Sequence, residues 1–500
     1  MTTQYRHPPH PRPTPPRGVT RRVITLCTCL TACFSTSAPA AENLSDRIGK
    51  ALATNRRVAE RSGISIVSVP DGAVVYASRE KIPHIPASNQ KLLVSAAALV
   101  RLGPEFRFTT RLARRSNDLV IIGGGDPALG DPVFAEAAGE PITAVFHRWA
   151  ETLREAGVDV IRGDLIVDDQ AFDNEWVHPH WNPADLLHWY AAPIGGLNFN
   201  DNCIDVTVIP GKKTGDITSV RVVPGNTLVE VVNKSRTAGK GTPTITRQGN
   251  SHTYVITGRC AKTSNLQSVP VVDPPLFFAG ALRTSLAAKG IRVEGMIRRE
   301  RVRQDEDRLP AGVTLLATHG SRLADVVTRM NKKSQNLFAE CLLKTLGRYD
   351  EETTVPRRIG AWSDGRSTVE RFMNRINREA EGLVVDDGSG LSRDNRVSPE
   401  QITRLLVYMY NQPVRDVYVQ SLAVSGIDGT LRKRMKDIKG TVFAKTGYIS
   451  GVRSLSGYVQ GATGQWYAFS YLYNDRKPKL GSTGPATRMQ DKLCRILAGG

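Results

Sequence analysis

The chain has 500 residues, 40% of them hydrophobic and 23% charged. That length exceeds one compact core and predicts two or three domains, and the composition is that of an ordinary globular enzyme. The net charge of +19 suits an anionic partner (a cell-wall polymer, a membrane surface or nucleic acid) or a solvated basic surface, yet no nucleic-acid-binding motif accompanies it, and no stretch reaches the roughly 18 apolar residues that span a bilayer.

Residues 1–40 read as an export signal. They carry Arg6, Arg12, Arg17, Arg21 and Arg22 and no acid, and without them the net charge is +14. A short apolar run, Val23 to Phe34, follows Arg21-Arg22, and Ala38-Pro39-Ala40 is a small-x-small cleavage site. Leu30-Thr31-Ala32-Cys33 also fits a lipoprotein box, which would anchor the chain to a membrane by a lipid on Cys33. Beyond this segment lie Cys203, Cys260, Cys341 and Cys494. In an oxidising compartment a disulfide can form. Cys203 and Cys260, both in β-branched text, are the candidate pair, with buried free thiols as the alternative.

Residues 42–60 predict a helix with Leu44, Ile48 and Leu52 on one face. Residues 64–78 alternate and turn at Pro70-Asp71-Gly72, a β-hairpin. Pro83 and Pro86 precede Ser88, and an Ala-, Leu- and Val-rich helix runs on to about Leu102 before Gly103. Residues 105–275 hold short strand patterns parted by Gly, Pro and Asn, with one helix at 141–156. Helices are predicted at 275–290, 321–346, 368–381 and 398–411, then strands at 440–444, 454–459 and 466–472, then a helix at 485–497. The expected fold class is α/β of the α+β kind. The two chain ends share one sheet flanked by helices, and a mainly β region of one or two subdomains is inserted. The expected boundaries are 1–40 for the signal, 41–108 and 276–500 for the discontinuous catalytic domain, and 109–275 for the insertion.

Three short motifs carry chemistry. Ser88-Asn89-Gln90-Lys91 puts a hydroxyl and an amine one helical turn apart. Such a lysine can be the base that the serine needs, if burial and neighbouring cations lower its pKa. The helix dipole also favours Ser88. Ser334-Gln335-Asn336 offers a hydroxyl to pass a proton and an amide to hold a substrate carbonyl. Lys445-Thr446-Gly447 closes a strand with a cation and a hydroxyl for a substrate carboxylate, a glycine that admits close approach, and then the backbone N–H of Tyr448, which with that of Ser88 would make an oxyanion hole. Each motif has a plain structural reading as well: a helix start with a surface lysine, an N-cap, a turn. Together, in this order and setting, they match the trio of penicillin-binding proteins and class A β-lactamases.

The chain resembles the D-Ala-D-Ala carboxypeptidase family typified by penicillin-binding protein 4, the S13 serine peptidases, from about residue 45 to 495. The resemblance extends to Ile121–Pro127, Trp189–Pro193, Asn198–Asn202, Asp387–Asn395 and Gly426–Arg432. The long gap from Ser88 to Ser334 matches extra domains inserted in a penicillin-recognising, serine transpeptidase-like fold, an antiparallel sheet flanked by helices. The resemblance implies a serine D-Ala-D-Ala carboxypeptidase or DD-endopeptidase acting on peptidoglycan stem peptides, with β-lactams as covalent inhibitors and no metal or organic cofactor. It implies Ser88 as nucleophile, Lys91 as base, Ser334 and Asn336 as proton shuttle and substrate holder, Lys445 and Thr446 as the carboxylate site, with Gly447 and Tyr448 beside them. Tyr448 departs from the threonine or serine usual in the family. The other readings are a serine β-lactamase or esterase on the same fold and a non-catalytic wall-binding protein.

Three further signals carry less. His178, His180 and His188 lie among Trp176, Trp181 and Trp189, and His-x-His can bind zinc, but no obvious carboxylate or cysteine set accompanies them in the sequence. Loop packing or glycan contact is the expected role. Gly123-Gly124-Gly125 reads as a turn, because no phosphate-loop lysine follows. Asp386-Asp387 could be a carboxylate pair for glycoside hydrolysis, but reads as cleft wall.

Overall fold

The computed structural model describes residues 43–349, 355–356, 358–378, 380–475 and 483–499. The expected export segment, the expected cleavage site and Cys33 lie outside the described residues. Among the described residues no helix is long and apolar enough to cross a membrane.

The chain ends do share a sheet. Its six strands run in the order Ala423–Val424, Val442–Ile449, Val452–Gln460, Trp466–Asn474, Ser62–Val69, Val74–Ser78, and every pairing is antiparallel. Alternate side chains point to opposite faces. Ile64, Ile66, Leu455, Phe469 and Tyr471 pack with Ile48 and Leu52 of the helix Leu44–Ala53 and with Leu493 and Leu497 of the helix Gly484–Ala498. Val67, Val69, Tyr458, Ala468 and Leu472 face the other way, onto the helices Gln90–Leu102 and Pro399–Tyr410. The result is a three-layer packing in which both sheet faces are covered.

A second, five-stranded sheet runs Ile297–Arg299, Leu165–Asp168, Asp118–Ile122, Arg107–Arg115, Val313–Arg322. Its first three strands are parallel and the remaining pairings antiparallel. The helices Ala144–Glu155 and Pro274–Ala288 bury Phe146, Trp149, Phe277 and Phe278 in the core that this sheet shares. The catalytic domain was expected to resume at 276. The helix beginning at Pro274 packs into the second core, and the strands Ile297–Arg299 and Val313–Arg322 pair within the second sheet. A helix at Pro132–Ala138 was not anticipated, although Asp131 caps Val133 and Phe134 and Gly139 ends it left-handed.

Two expected helices are each two. The first breaks at Asn55, which caps Val58, giving Leu44–Ala53 and Arg56–Glu60. The helix expected at 321–346 is Leu323–Lys333 and Asn336–Arg348, parted by Ser334 in the left-handed region at φ 61°. The expected Cys203–Cys260 disulfide is not formed: both are buried free thiols. The Sγ of Cys260 lies against the Val208 carbonyl at 3.8 Å. Cys203 is five residues back along the same strand, about 16 Å away at the usual rise, beyond the reach of a disulfide.

Candidate active site

Ser88 sits where the chain swings into a helix. Ala87 takes a left-handed φ of 46°, Ala87–Asn89 make a 3-10 turn, and Gln90–Leu102 continues as α-helix. Such a conformation costs a non-glycine residue about 1–3 kcal/mol and persists only when its surroundings hold it. Here Gly390 is pressed against the Ala87 carbonyl, where a Cβ would overlap it. From the other side, Ser454 Oγ donates to the Pro86 carbonyl at 2.6 Å.

Lys91 follows one turn later and is fully buried. Leu92, Leu93, Val94 and Leu99 of the same helix are buried without remainder. At about 1.5–3 kcal/mol each, they outweigh the several kcal/mol that one desolvated ammonium costs. Its Nζ lies 3.1 Å from Ser88 Oγ, 2.7 Å from Asn336 Oδ1 and 2.7 Å from the Ser389 carbonyl. The Asn336 amide is oriented because its Nδ2 donates to the Tyr190 carbonyl at 2.7 Å. Two of the three neighbours can therefore only accept. A neutral amine spends its two N–H groups on them and turns its lone pair to the Ser88 hydroxyl. Burial pulls Lys91 down to about 7, against the opposing pull of Glu340 and Asp387.

Those two acids are buried and held by many donors. Glu340 accepts from Trp362 Nε1 (2.8 Å), Gly388 N (2.9 Å) and Ser389 N (2.8 Å). Burial, then the Asp387 charge, push it up to about 7. Asp387 accepts from Trp181 Nε1 (3.0 Å), Gly390 N (2.7 Å), Ser392 N (2.7 Å) and Asn395 Nδ2 (2.8 Å). They shape the loop that carries the Ser389 carbonyl to Lys91. With that many bonds Asp387 is structural, which answers the glycoside-hydrolysis alternative.

Ser334 faces the second lysine. Lys445 Nζ, also fully buried, donates to Ser334 Oγ at 2.8 Å and to the Thr446 carbonyl at 2.9 Å. Its third N–H has no partner among the described residues. Burial, and then the charge of Lys91, hold Lys445 well below its ordinary range. Asn89 locks the strand to the Ser88 turn, donating to the Lys445 carbonyl at 2.7 Å while accepting from Ser456 Oγ at 2.8 Å. Thr446 Oγ1 donates to Thr430 Oγ1 at 2.9 Å. A Cβ on Gly447 would overlap Ser454 Oγ and stand 2.9 Å from the Pro86 carbonyl and 3.0 Å from the Ser88 nitrogen, so glycine lets the strand lie this close. Tyr448 is exposed at the rim, with the Arg453 guanidinium 3.7 Å over its ring.

The middle residue of the Ser334 turn is anchored too. Gln335 Nε2 donates to Asp201 Oδ2 at 2.7 Å, and Arg329 reaches both Asp201 (3.4 Å) and Asp131 (2.8 Å). Burial and the adjacent Asp131 carboxylate push Asp201 up to about 8. Thus Ser88, Lys91, Ser334, Asn336, Lys445, Thr446 and Gly447 come together, and Tyr448 stands beside them. The site parts that sequence reasoning missed are Asn89, Glu340, Asp201 and the carbonyls of Tyr190 and Ser389. Glu340 had a signal, an acid one turn after Asn336 amid Leu337, Phe338, Ala339, Cys341 and Leu342. The His188 ring lies apart from the other two histidines, stacked on Tyr190 at 5.2 Å.

A serine at a helix start facing an internal lysine, with a second lysine on the neighbouring strand of such a sheet, is the arrangement of the penicillin-recognising serine hydrolases. The chain belongs to the D-Ala-D-Ala carboxypeptidase 3 (S13) family, whose sequence model matches residues 44–492. It is 32% identical over 465 residues to a D-alanyl-D-alanine carboxypeptidase of Actinomadura sp. (strain R39), covering 87% of this chain and 81% of that one. It is 25% identical over 406 residues to the D-alanyl-D-alanine carboxypeptidase DacB of Haemophilus influenzae, covering 78% and 80%. The crystal structure of penicillin binding protein 4 (dacB) from Haemophilus influenzae shares the fold, with a TM-score of 0.68 at 23% identity over 91% of this chain and 98% of that one. The activity is that of a serine-type D-Ala-D-Ala carboxypeptidase.

Proposed function

We propose that Ser88 is the nucleophile that cleaves the D-Ala-D-Ala bond of peptidoglycan stem peptides, with Lys91 as its base. Lys91 takes the hydroxyl proton as Ser88 Oγ bonds to the carbonyl carbon. The oxyanion takes hydrogen bonds from the backbone N–H groups of Ser88 and Tyr448. Collapse breaks the amide, and the departing D-alanine amine receives its proton from Lys91 by way of Ser334. Water then attacks the ester, Ser88 recovers its proton, and the shortened peptide leaves. Lys445 and Thr446 hold the terminal carboxylate, and Asn336 holds both Lys91 and the peptide. The observation that carries this reading is the position of Lys91 Nζ, 3.1 Å from Ser88 Oγ and otherwise held by two oxygens that can only accept.

β-Lactams, which present a strained amide beside a carboxylate, acylate the same oxygen. A crystal structure of penicillin binding protein 4 from Haemophilus influenzae holds a β-lactam. Cleavage of D-alanyl cross-links is the endopeptidase form of the same chemistry. The segment from about 107 to 322 is an insertion that reaches the cleft through Tyr190 and Asp201. Residues 1–40 direct the chain to the cell envelope or periplasm, with a lipid on Cys33 as the anchored alternative, read out by the mass of the mature N-terminus.

The test is release of D-alanine from a synthetic stem pentapeptide, with a cross-linked dimer in parallel. Wild type releases D-alanine and Ser88→Ala does not. Equal release by both would remove Ser88 from the reaction.

A further inference from the structure

The two histidines set down in the sequence have a carboxylate beside them after folding, supplied from 206 residues further along the chain. His180 Nδ1 lies 3.0 Å from each oxygen of Asp386 and 3.4 Å from Asp394 Oδ2. His178 Nδ1 lies 3.9 Å from Asp386 Oδ2. One coordinating atom each from His178, His180 and Asp386 falls within 4.8 Å of the others.

The tautomer of His178 is set by its surroundings. Its Nε2 is 3.0 Å from the Asp386 backbone carbonyl, which can only accept, so that nitrogen carries the proton. The buried Nδ1 is then the unprotonated one, and its lone pair faces a carboxylate oxygen and accepts from the His180 backbone N–H at 3.3 Å. A lone-pair nitrogen, a second imidazole and a carboxylate around one point form a donor set that a cation completes. Tetrahedral zinc with ligands at about 2.0–2.1 Å sets neighbouring ligand atoms about 3.3–3.4 Å apart. The 3.0, 3.4 and 3.9 Å separations lie about that edge, and the His178, His180 and Asp386 atoms all stay within 4.8 Å of one another, so a small contraction closes the set on the ion. The outer contacts are of the kind that orient ligands: the carbonyl on His178, Ser392 Oγ at 2.5 Å from Asp386 Oδ2, and Arg366 Nη1 at 3.1 Å from Asp386 Oδ1. Arg366 occupies Oδ1, and Oδ2, which accepts from Ser392 Oγ, keeps a second lone pair for the ion.

We propose that His178, His180 and Asp386, with Asp394 at the open side, bind a divalent cation of the zinc class. The mixed nitrogen and oxygen donors favour zinc, cobalt or nickel over calcium or magnesium. The ion fastens residues 178–181 to the loop 386–395. If the catalytic reading above holds, it also steadies the Ser389 carbonyl against Lys91.

The test uses the full chain stripped with a chelator and titrated with Zn²⁺ by calorimetry and with Co²⁺ by visible absorption. The variants His180→Ala and Asp394→Asn, both at exposed positions, leave the core intact. Wild type takes up one ion per chain, shows the intense visible bands of tetrahedral Co²⁺, melts higher with Zn²⁺, and gains hydrogen-exchange protection at 386–395. His180→Ala binds about 10–100-fold more weakly or not at all. Identical titrations and melting for wild type and His180→Ala would overturn the site and leave a histidine–aspartate ion pair only. Acylation by penicillin is not part of this readout, so failure here is distinct from failure of the catalytic reading.

Discussion

Lys91 Nζ stands 3.1 Å from Ser88 Oγ, while its other two neighbours are oxygens that cannot donate. Only the neutral amine can take the serine proton, and burial holds its pKa near 7. Below that pH the amine is protonated and acylation falls about tenfold per unit. Above it, kcat/KM levels off. The pH profile of D-alanine release measures this. A profile flat from about pH 5 to about pH 8 would contradict it. Lys91→Met lowers kcat by about 10²–10⁴-fold, the usual worth of a general base.

Gly447 tests the oxyanion hole without touching a reacting side chain. An added methyl would first overlap Ser454 Oγ, which holds the Pro86 carbonyl, and would press on that carbonyl and on the Ser88 nitrogen, shifting one donor. Gly447→Ala therefore loses about 10²–10³ in kcat, with KM changed much less. A variant that melts normally and keeps full kcat would place the oxyanion donors elsewhere.

Among the described residues Lys445 has one N–H left after Ser334 and Thr446. A hydrogen bond to a charged group contributes about 1.5–3 kcal/mol, so Lys445→Ala raises KM for a free-carboxylate peptide about 10–150-fold. A substrate amidated at its C-terminus is equally poor for wild type and variant. If Lys445→Ala penalised both substrates alike, the carboxylate would not be its ligand.

Gln335 and Asp201 form the tie between the turn bearing Ser334 and the Asn200–Asn202 segment. Asp201→Ala frees that turn and lowers kcat about tenfold or more, because small misplacements of catalytic groups are costly. Asp201→Asn keeps an acceptor for the Gln335 amide and recovers most of the rate. A purely structural role would lower melting temperature in both variants and leave kcat of the folded fraction unchanged.

Much of the site was legible in the sequence because the chemistry needs particular side chains at short, fixed spacings: Ser88 with Lys91, Ser334 with Asn336, Lys445 with Gly447. What escaped was contributed by backbone and by distance. The Ser389 carbonyl meets Lys91 across 298 residues, and a carbonyl has no sequence identity. The break at Ser334 was hidden because Met330 and Leu337 are seven residues apart, two helical turns, so the apolar phase runs through the gap. The strand Val313–Arg322 was missed because it is half-exposed along its length and shows no alternation. The hairpin at 64–78 and the closing strands had that alternation and were found.

Tyr448 departs from the pattern at the rim of the cleft, its ring under Arg453. Tyr448→Thr keeps the backbone donor and opens that side, so bulky β-lactams acylate Ser88 faster while D-alanine release changes little. Stopped-flow acylation rates for a small and a bulky penicillin separate the two effects, and equal ratios in both proteins would clear Tyr448 of any steric role.

The central claim, that Ser88 is the acylating residue, is tested most directly by intact-mass analysis after exposure to a penicillin. Wild type gains the mass of one drug molecule and folded Ser88→Ala gains none. An adduct of the same mass on Ser88→Ala, or no adduct on wild type that also fails to release D-alanine from a stem peptide, would contradict it.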